Sequence, residues 1–336
     1  MEISSKAERL HDECICIDGH NDSLIEHWAR GDNMDLTGEW PDYQVDLPRL
    51  QAGGMTAIFS MVGGAELHQS LELWDAMYLH AEEYSDDFLL VLEPSDIQRA
   101  DRKNKIGLIG QLESCTLLGQ SLHVLRVLYR LGVRVTNLTH GEAEEDSLHG
   151  TKSPFDFCTL ADRERAHRTF EGLTDFGREA IPAMNELGLV VDLAHTQDAS
   201  YFEAIELSTR PVVFSHGNVF SLSPHWRNLT DDQLRALGDN GGVIGLAFLP
   251  AFIDPENPSL DRLVDHIEYV CELIGDDHVG FGADYDGMGD RTAIPPDYSH
   301  LPALTQLMLD RGFPQSTIRK FWGENFLRVL EAAQHV

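Results

Sequence analysis

The chain has 336 residues, 42% of them hydrophobic, and its 25 basic against 56 acidic residues leave a formal charge of −31. That hydrophobic share supports an ordinary packed core and excludes a disordered chain, and the charge excludes nucleic-acid or anionic-membrane binding, both of which need basic patches. Residues 1–13 (MEISSKAERLHDE) lack a secretory apolar stretch, no run is long enough to span a membrane, and the five cysteines (14, 16, 115, 158, 271) contain no CxxC pair; the expectation is a cytoplasmic protein with neither a disulfide framework nor a cysteine zinc site.

In chain order, short apolar runs that read as buried strands fall at 14–19 (CICIDG), 55–62 (MTAIFSMV), 105–112 (KIGLIGQL), 133–139 (VRVTNLT), 189–194 (LVVDLA), 211–215 (PVVFS), 242–249 (GVIGLAFL) and 278–283 (HVGFGA). Helical patterns lie between and after them, near 67–84, 119–131, 174–187, 198–208, 230–238, 259–274, 301–311 and 315–333. Segment 174–187 shows the logic: Thr174 can cap it, Phe176, Ala180, Ile181, Met184 and Leu187 form an apolar stripe, and Gly188 ends it. Pro182 should kink that helix or shift its start. Eight βα units in one chain of this size predict an α/β fold, a (β/α)8 TIM-type barrel, as one domain over 1–336 with its core at about 14–332. A doubly wound sheet is the weaker reading, because no GxGxxG follows the first strand.

Polar residues then collect where a barrel enzyme builds its site, at the C-terminal ends of the strands. The first run ends in "DGHND", which sets His20 and Asp22 two apart and so on one side. Glu113 follows 105–112, His140 follows 133–139, His195 follows 189–194, His216 follows 211–215 and Asp284 follows 278–283. Singly, each is an ordinary polar group at a loop entry. Together they form a set that metal chemistry accounts for, since imidazole and carboxylate are ligands that zinc and similar ions accept. Three histidines and two carboxylates hold two ions if one carboxylate bridges them, and two ions together clamp a hydroxide and polarise a carbonyl. His20 and Asp22 read as one ion's half-shell.

These residues sit in stretches that resemble the renal (membrane) dipeptidase family of zinc metallopeptidases, within the amidohydrolase superfamily. The stretches are "DGHND" (18–22), "QLES" (111–114), "TNLTH" (136–140), "GLTDFGREAIPAMNELGLVVDLAHT" (172–196), "FSHGN" (214–218), "RNLTDDQLRAL" (227–237), "GFGADYDG" (280–287) and "WGENFLRVL" (322–330). The resemblance implies a binuclear zinc barrel that cleaves small dipeptides with a free C-terminal carboxylate through a metal-bridging hydroxide. It gives His20 and Asp22 to one Zn2+, His195 and His216 to the other, and Glu113 to both. It places His140 over the metals to hold the substrate carbonyl oxygen, Arg227 on the terminal carboxylate, and Asp284 as the carrier of the proton from attacking water to leaving amine. A homodimer is implied as well.

Some positions depart from the family pattern. The segment after His140, "GEAEEDSLHG", is unusually acidic, and Glu142, Glu144, Glu145 and Asp146 would make the barrel mouth negative and favour a cationic N-terminal side chain on the substrate. Phe248 and Leu249 stand where an aromatic pair with a tyrosine is common, which removes a hydroxyl from the pocket. Asp18 and Asp192, charged within apolar runs, read as supports for the ligands or for the fold. Hydrolysis of an N-acyl amino acid or a lactam on the same metals is the first alternative, and a non-catalytic metal-binding barrel the second.

Overall fold

The computed structural model describes residues 2–63, 66–140, 172–196, 198–288 and 292–334. Nine parallel strands are formed: β1 (Ile17–Asn21), β2 (Ala57–Met61), β3 (Phe88–Leu90), β4 (Ile106–Leu112), β5 (Val133–Asn137), β6 (Val190–Asp192), β7 (Val213–Gly217), β8 (Val243–Leu246) and β9 (Val279–Phe281). Eight of them close into a (β/α)8 barrel in the order β1-β2-β4-β5-β6-β7-β8-β9, with β9 pairing back to β1. All eight barrel strands are runs expected from the sequence. β3 is not, because three residues are too few to show a pattern; it lies outside the ring, paired with the start of β4.

Helices cover the outside, and their ends follow local chemistry. Thr174 caps Asp175–Leu187 by accepting from the Gly177 amide, and Gly188 closes it in the left-handed conformation. Pro182 lies inside this helix, and the start is not shifted. The expected C-terminal helix is interrupted: Gln315–Arg319 and Asn325–Gln334 are joined through a wider turn at Lys320–Glu324, with non-helical backbone at Gly323. A Cβ on Gly323 would stand 2.3 Å from the Ile15 carbonyl oxygen, so the wide turn lets the chain pass close to β1. Short helices at Ser5–Asp12, Ser23–Arg30, Leu47–Ala52 and Pro94–Lys103 add to the shell.

Inside the ring the side chains form layers, as the strand period of two requires. The lower layer is apolar: Ile17, Phe59, Ile109, Val135, Val190, Val213 and Val243 pack with Phe326 of the last helix, which plugs that end. Two residues further along their strands, Ile109, Val135, Val190 and Val213 are followed by Gln111, Asn137, Asp192 and Ser215, all buried. A polar layer therefore lies directly beneath the ends of the strands. The strands approach closely there: a Cβ on Gly282 or Gly245 would fall 1.8 or 2.1 Å from the Ser215 carbonyl oxygen.

Candidate metal centre and substrate cavity

Two strands that carry candidate ligands change register near their ends, β1 against β2 between Asp18 and Asn21 and β7 against β8 between Phe214 and Gly217. Such irregularities re-aim side chains at strand ends. They extend both strands past the runs read from the sequence, so His20 and His216 lie within β1 and β7. Asp22, Glu113, His140, His195 and Asp284 follow β1, β4, β5, β6 and β9. His195 and Asp284 hold backbone φ of 66° and 61°, a region sparsely populated by residues other than glycine.

The structure brings all seven together. Glu113 Oε1 is 3.3 Å from His20 Nε2, 3.1 Å from His195 Nε2 and 3.4 Å from His216 Nε2. Its Oε2 is 3.5 Å from His140 Nε2. His20 Nε2 also lies 3.3 Å from Asp22 Oδ2 and 3.9 Å from Asp284 Oδ1. The Nε2 atoms of His195 and His216 face each other at 2.9 Å. Three overlapping groups have ligand atoms close enough to share an ion: His20, Asp22 and Glu113; Glu113, His140 and His195; His20, His216 and Asp284.

Charge and solvation suit a cation. Glu113 is pushed up to about 8, first by burial and then by Asp22, against the pull of His20 and Arg227. His195 and His216 are held well below the usual histidine value, first by burial and then by neighbouring positive groups, so each is neutral and keeps a ring lone pair. Burial opposes charge on His20 too, but Glu113 and Asp22 outweigh it and raise its pKa. Burial is also the first cause of the rise in Asp284, to about 7. Among the described residues His20 Nε2 and Asp22 Oδ1 are buried without a hydrogen-bond partner, a free-energy cost that a bound cation would relieve. Imidazole and carboxylate without thiolate form a donor set for zinc-like ions. The residues present fit a metal.

At this cluster opens a cavity of about 290 Å3, lined by Asp22, Glu113, His140, His195, His216 and Asp284 together with Trp226, Arg227, Leu249, Phe252 and Met288. Arg227 is buried rather than an exposed loop cation. Its Nη2 donates to the His216 carbonyl at 3.4 Å, Trp226 and Phe252 flank its guanidinium, and its Nε has no hydrogen-bond partner among the described residues. Burial lowers it to about 10, still protonated at neutral pH. Phe248 faces away, stacked on Phe281, so of the expected pair only Leu249 lines the cavity, and the aromatic wall comes from Trp226 and Phe252. The acidic run at Glu142, Glu144, Glu145 and Asp146 lies outside the described residues.

Sequence reasoning missed Gln111 and Ser215, which contact the candidate ligands His20 and His216, and Asn137, which contacts Gln111. The signal was present in Gln111, a polar residue inside the apolar strand "IGLIGQL". Asp18, noted as a charge in a strand, accepts from the main-chain amides of His20 at 3.1 Å and Ala283 at 2.8 Å, tying β1 to β9 between two site residues.

Comparison with known proteins decides the family. Residues 4–336 match the membrane dipeptidase family, peptidase family M19. The chain belongs to that family. Dipeptidase tcpJ of Claviceps purpurea is 30% identical over 99% of this chain and 81% of its own, and dipeptidase verJ of Clonostachys rogersoniana is 31% identical over 99% and 87%. Among solved structures, a Rhodobacter sphaeroides metallopeptidase liganded with a phosphinate mimic of L-Ala-D-Ala superposes with a TM-score of 0.83 at 23% identity, covering 96% of this chain and all of that one. The probable dipeptidase PvdM of Pseudomonas aeruginosa superposes with a TM-score of 0.84 at 21% identity, each chain covered to 98%. Membrane dipeptidases are metallopeptidases, so the chain is a hydrolase of peptide bonds. No helix among the described residues is long and apolar enough to cross a membrane.

Proposed function

We propose that this dipeptidase uses two zinc ions and acts on small dipeptides with a free C-terminal carboxylate. The observation that carries the reading is Arg227: a buried, protonated guanidinium whose Nε has no hydrogen-bond partner among the described residues, lining the same cavity as the Glu113 cluster. Such a group pairs with a carboxylate brought by the substrate. The cavity volume of about 290 Å3 suits a ligand of dipeptide size.

In this reading His20 and Asp22 would hold one ion, His195 and His216 the other, and Glu113 would serve both. When bound, two zinc ions supply an acidified water and a polarised carbonyl at neutral pH. The chain's own residues do the rest. Arg227 fixes the terminal carboxylate, and His140, more exposed than its neighbours, takes the scissile carbonyl oxygen. Asp284, 3.9 Å from His20, accepts the proton of the attacking water and returns it to the leaving nitrogen. Five cysteines, odd in number and without a CxxC pair, support a reducing compartment such as the cytoplasm.

The test is a panel of L,L and L,D dipeptides, their C-terminal amides, and N-acyl amino acids, assayed with wild type and Arg227→Met. Arg227→Met is expected to cut kcat/KM on free-carboxylate dipeptides by roughly 10- to 150-fold, the equivalent of about 1.5–3 kcal/mol for a charge-assisted bond, and to leave the amides little changed. Equal losses on both would assign Arg227 to loop support. Turnover of N-acyl amino acids in preference to every dipeptide would move the substrate class.

A further inference from the structure

We infer that Asp192 is a positioning residue that fixes which ring nitrogen of His20 is available to a metal, acting through the side-chain amide of Gln111. The inference rests on His20 being a metal ligand and goes beyond it by assigning the group that prepares it. The contacts lie in the polar layer beneath the site. Asp192 Oδ1 accepts from the main-chain amides of Ala194 and Ser215, both at 3.0 Å, which holds the carboxylate in one orientation. Its Oδ2 accepts from Gln111 Nε2 at 2.8 Å, and that nitrogen also reaches Asn137 Oδ1 at 3.3 Å. Gln111 Oε1 lies 2.8 Å from His20 Nδ1.

Donor and acceptor rules allow one arrangement. An ionised carboxylate only accepts, so the Gln111 amide must turn its NH2 toward Asp192 and its oxygen toward His20. That oxygen needs a proton on Nδ1. With a proton held there, Nε2 is the nitrogen that can give up its proton and offer a lone pair to a metal, and Nε2 is the atom that faces Asp22 and Glu113. The ring nitrogen remote from a metal usually has such a partner, and its loss typically weakens binding 10- to 100-fold.

Reversing the amide gives the test. In Asp192→Asn the new NH2 opposes that of Gln111. Gln111 turns over, presents a donor to His20 Nδ1, and drives the proton to Nε2. In Gln111→Glu/Asp192→Asn the residues exchange roles: the new carboxylate accepts from both the side-chain amide introduced at position 192 and His20 Nδ1–H, and the total charge is unchanged. Metal-free full-length protein is titrated with zinc against a chromophoric chelator, with thermal unfolding of each metal-free variant alongside. Asp192→Asn is expected to weaken one of the two zinc steps by about 10- to 100-fold, and the double variant to return it to within about threefold of wild type. Gln111→Leu, which leaves the main-chain bonds of Asp192 intact, is expected to weaken the same step alone, so the relay remains testable even if Asp192→Asn does not fold. Wild-type affinity in Asp192→Asn or Gln111→Leu, or a double variant no better than Asp192→Asn, overturns the relay. A wild type that binds no zinc overturns the metal centre and the relay with it.

Discussion

Glu113 and Asp284 are both buried carboxylates raised in pKa by desolvation, yet their surroundings give them different work. Glu113 has one oxygen within 3.4 Å of three imidazole nitrogens and the other beside His140. A carboxylate so placed can serve both half-shells, so Glu113→Gln is expected to lower the binding of both ions, read as zinc per chain by elemental analysis. Two ions retained at full activity would end that bridging role. Asp284 stands further from His20 Nε2, at 3.9 Å, than Asp22 and Glu113 do, at 3.3 Å, and it also borders the cavity. Asp284→Asn should therefore keep both ions and lose about 10²- to 10⁴-fold in kcat, because an amide of similar shape cannot carry the proton; near-normal kcat with full loading would assign the proton to another group. These residues were legible in the sequence because each ends an apolar run. Ser215 was not, since a serine inside "PVVFS" carries no mark of the histidine it supports, and its contact with His216 Nδ1 at 2.8 Å exists only in the fold.

Elements reach the site by different routes, and the segment bearing Arg227 depends on a residue the sequence left without a role. His266, on the helix Leu260–Ile274, accepts from the Val219 amide through Nδ1 at 3.1 Å and donates through Nε2 to the Ile253 carbonyl at 2.9 Å. It thus joins the segment after β7, which leads to Trp226 and Arg227, to the segment that supplies Phe252. Burial is the main reason its pKa falls from 6.5 to about 4, with Arg262 acting in the same direction. A histidine lowered on folding contributes its full stability above the unfolded value, and that stability is lost as pH falls from 6.5 toward 4. Roughly 3 kcal/mol should disappear over that window. Urea unfolding across the same range should show a flatter profile for His266→Gln, which can keep both hydrogen bonds without titrating; parallel profiles would remove His266 from the acid response. The eight barrel strands were readable because apolar runs of this length must be buried. Their ends were not, because the register changes in β1 and β7 arise from pairing partners far away in sequence.

At the scale of the whole molecule, alternation of strand and helix was enough to specify the barrel, and the barrel is what gathers residues from 20 to 284 around one carboxylate. Charge was informative in a weaker way. A formal charge of −31 excludes classes of partner, but it does not say which acidic residues face a substrate. Glu113, Asp192 and Asp284 stand apart from the solvated majority because they are buried. Substrate preference was legible only as far as Arg227, since the aromatic wall of Trp226 and Phe252 forms where separate loops meet. The account as a whole stands on two ions acting together at the end of this barrel. Metal-free protein is titrated with zinc while hydrolysis of a dipeptide is followed. Activity is expected to rise to a plateau at two equivalents per chain. A plateau at one equivalent, or no dipeptide hydrolysis at any loading, would contradict it.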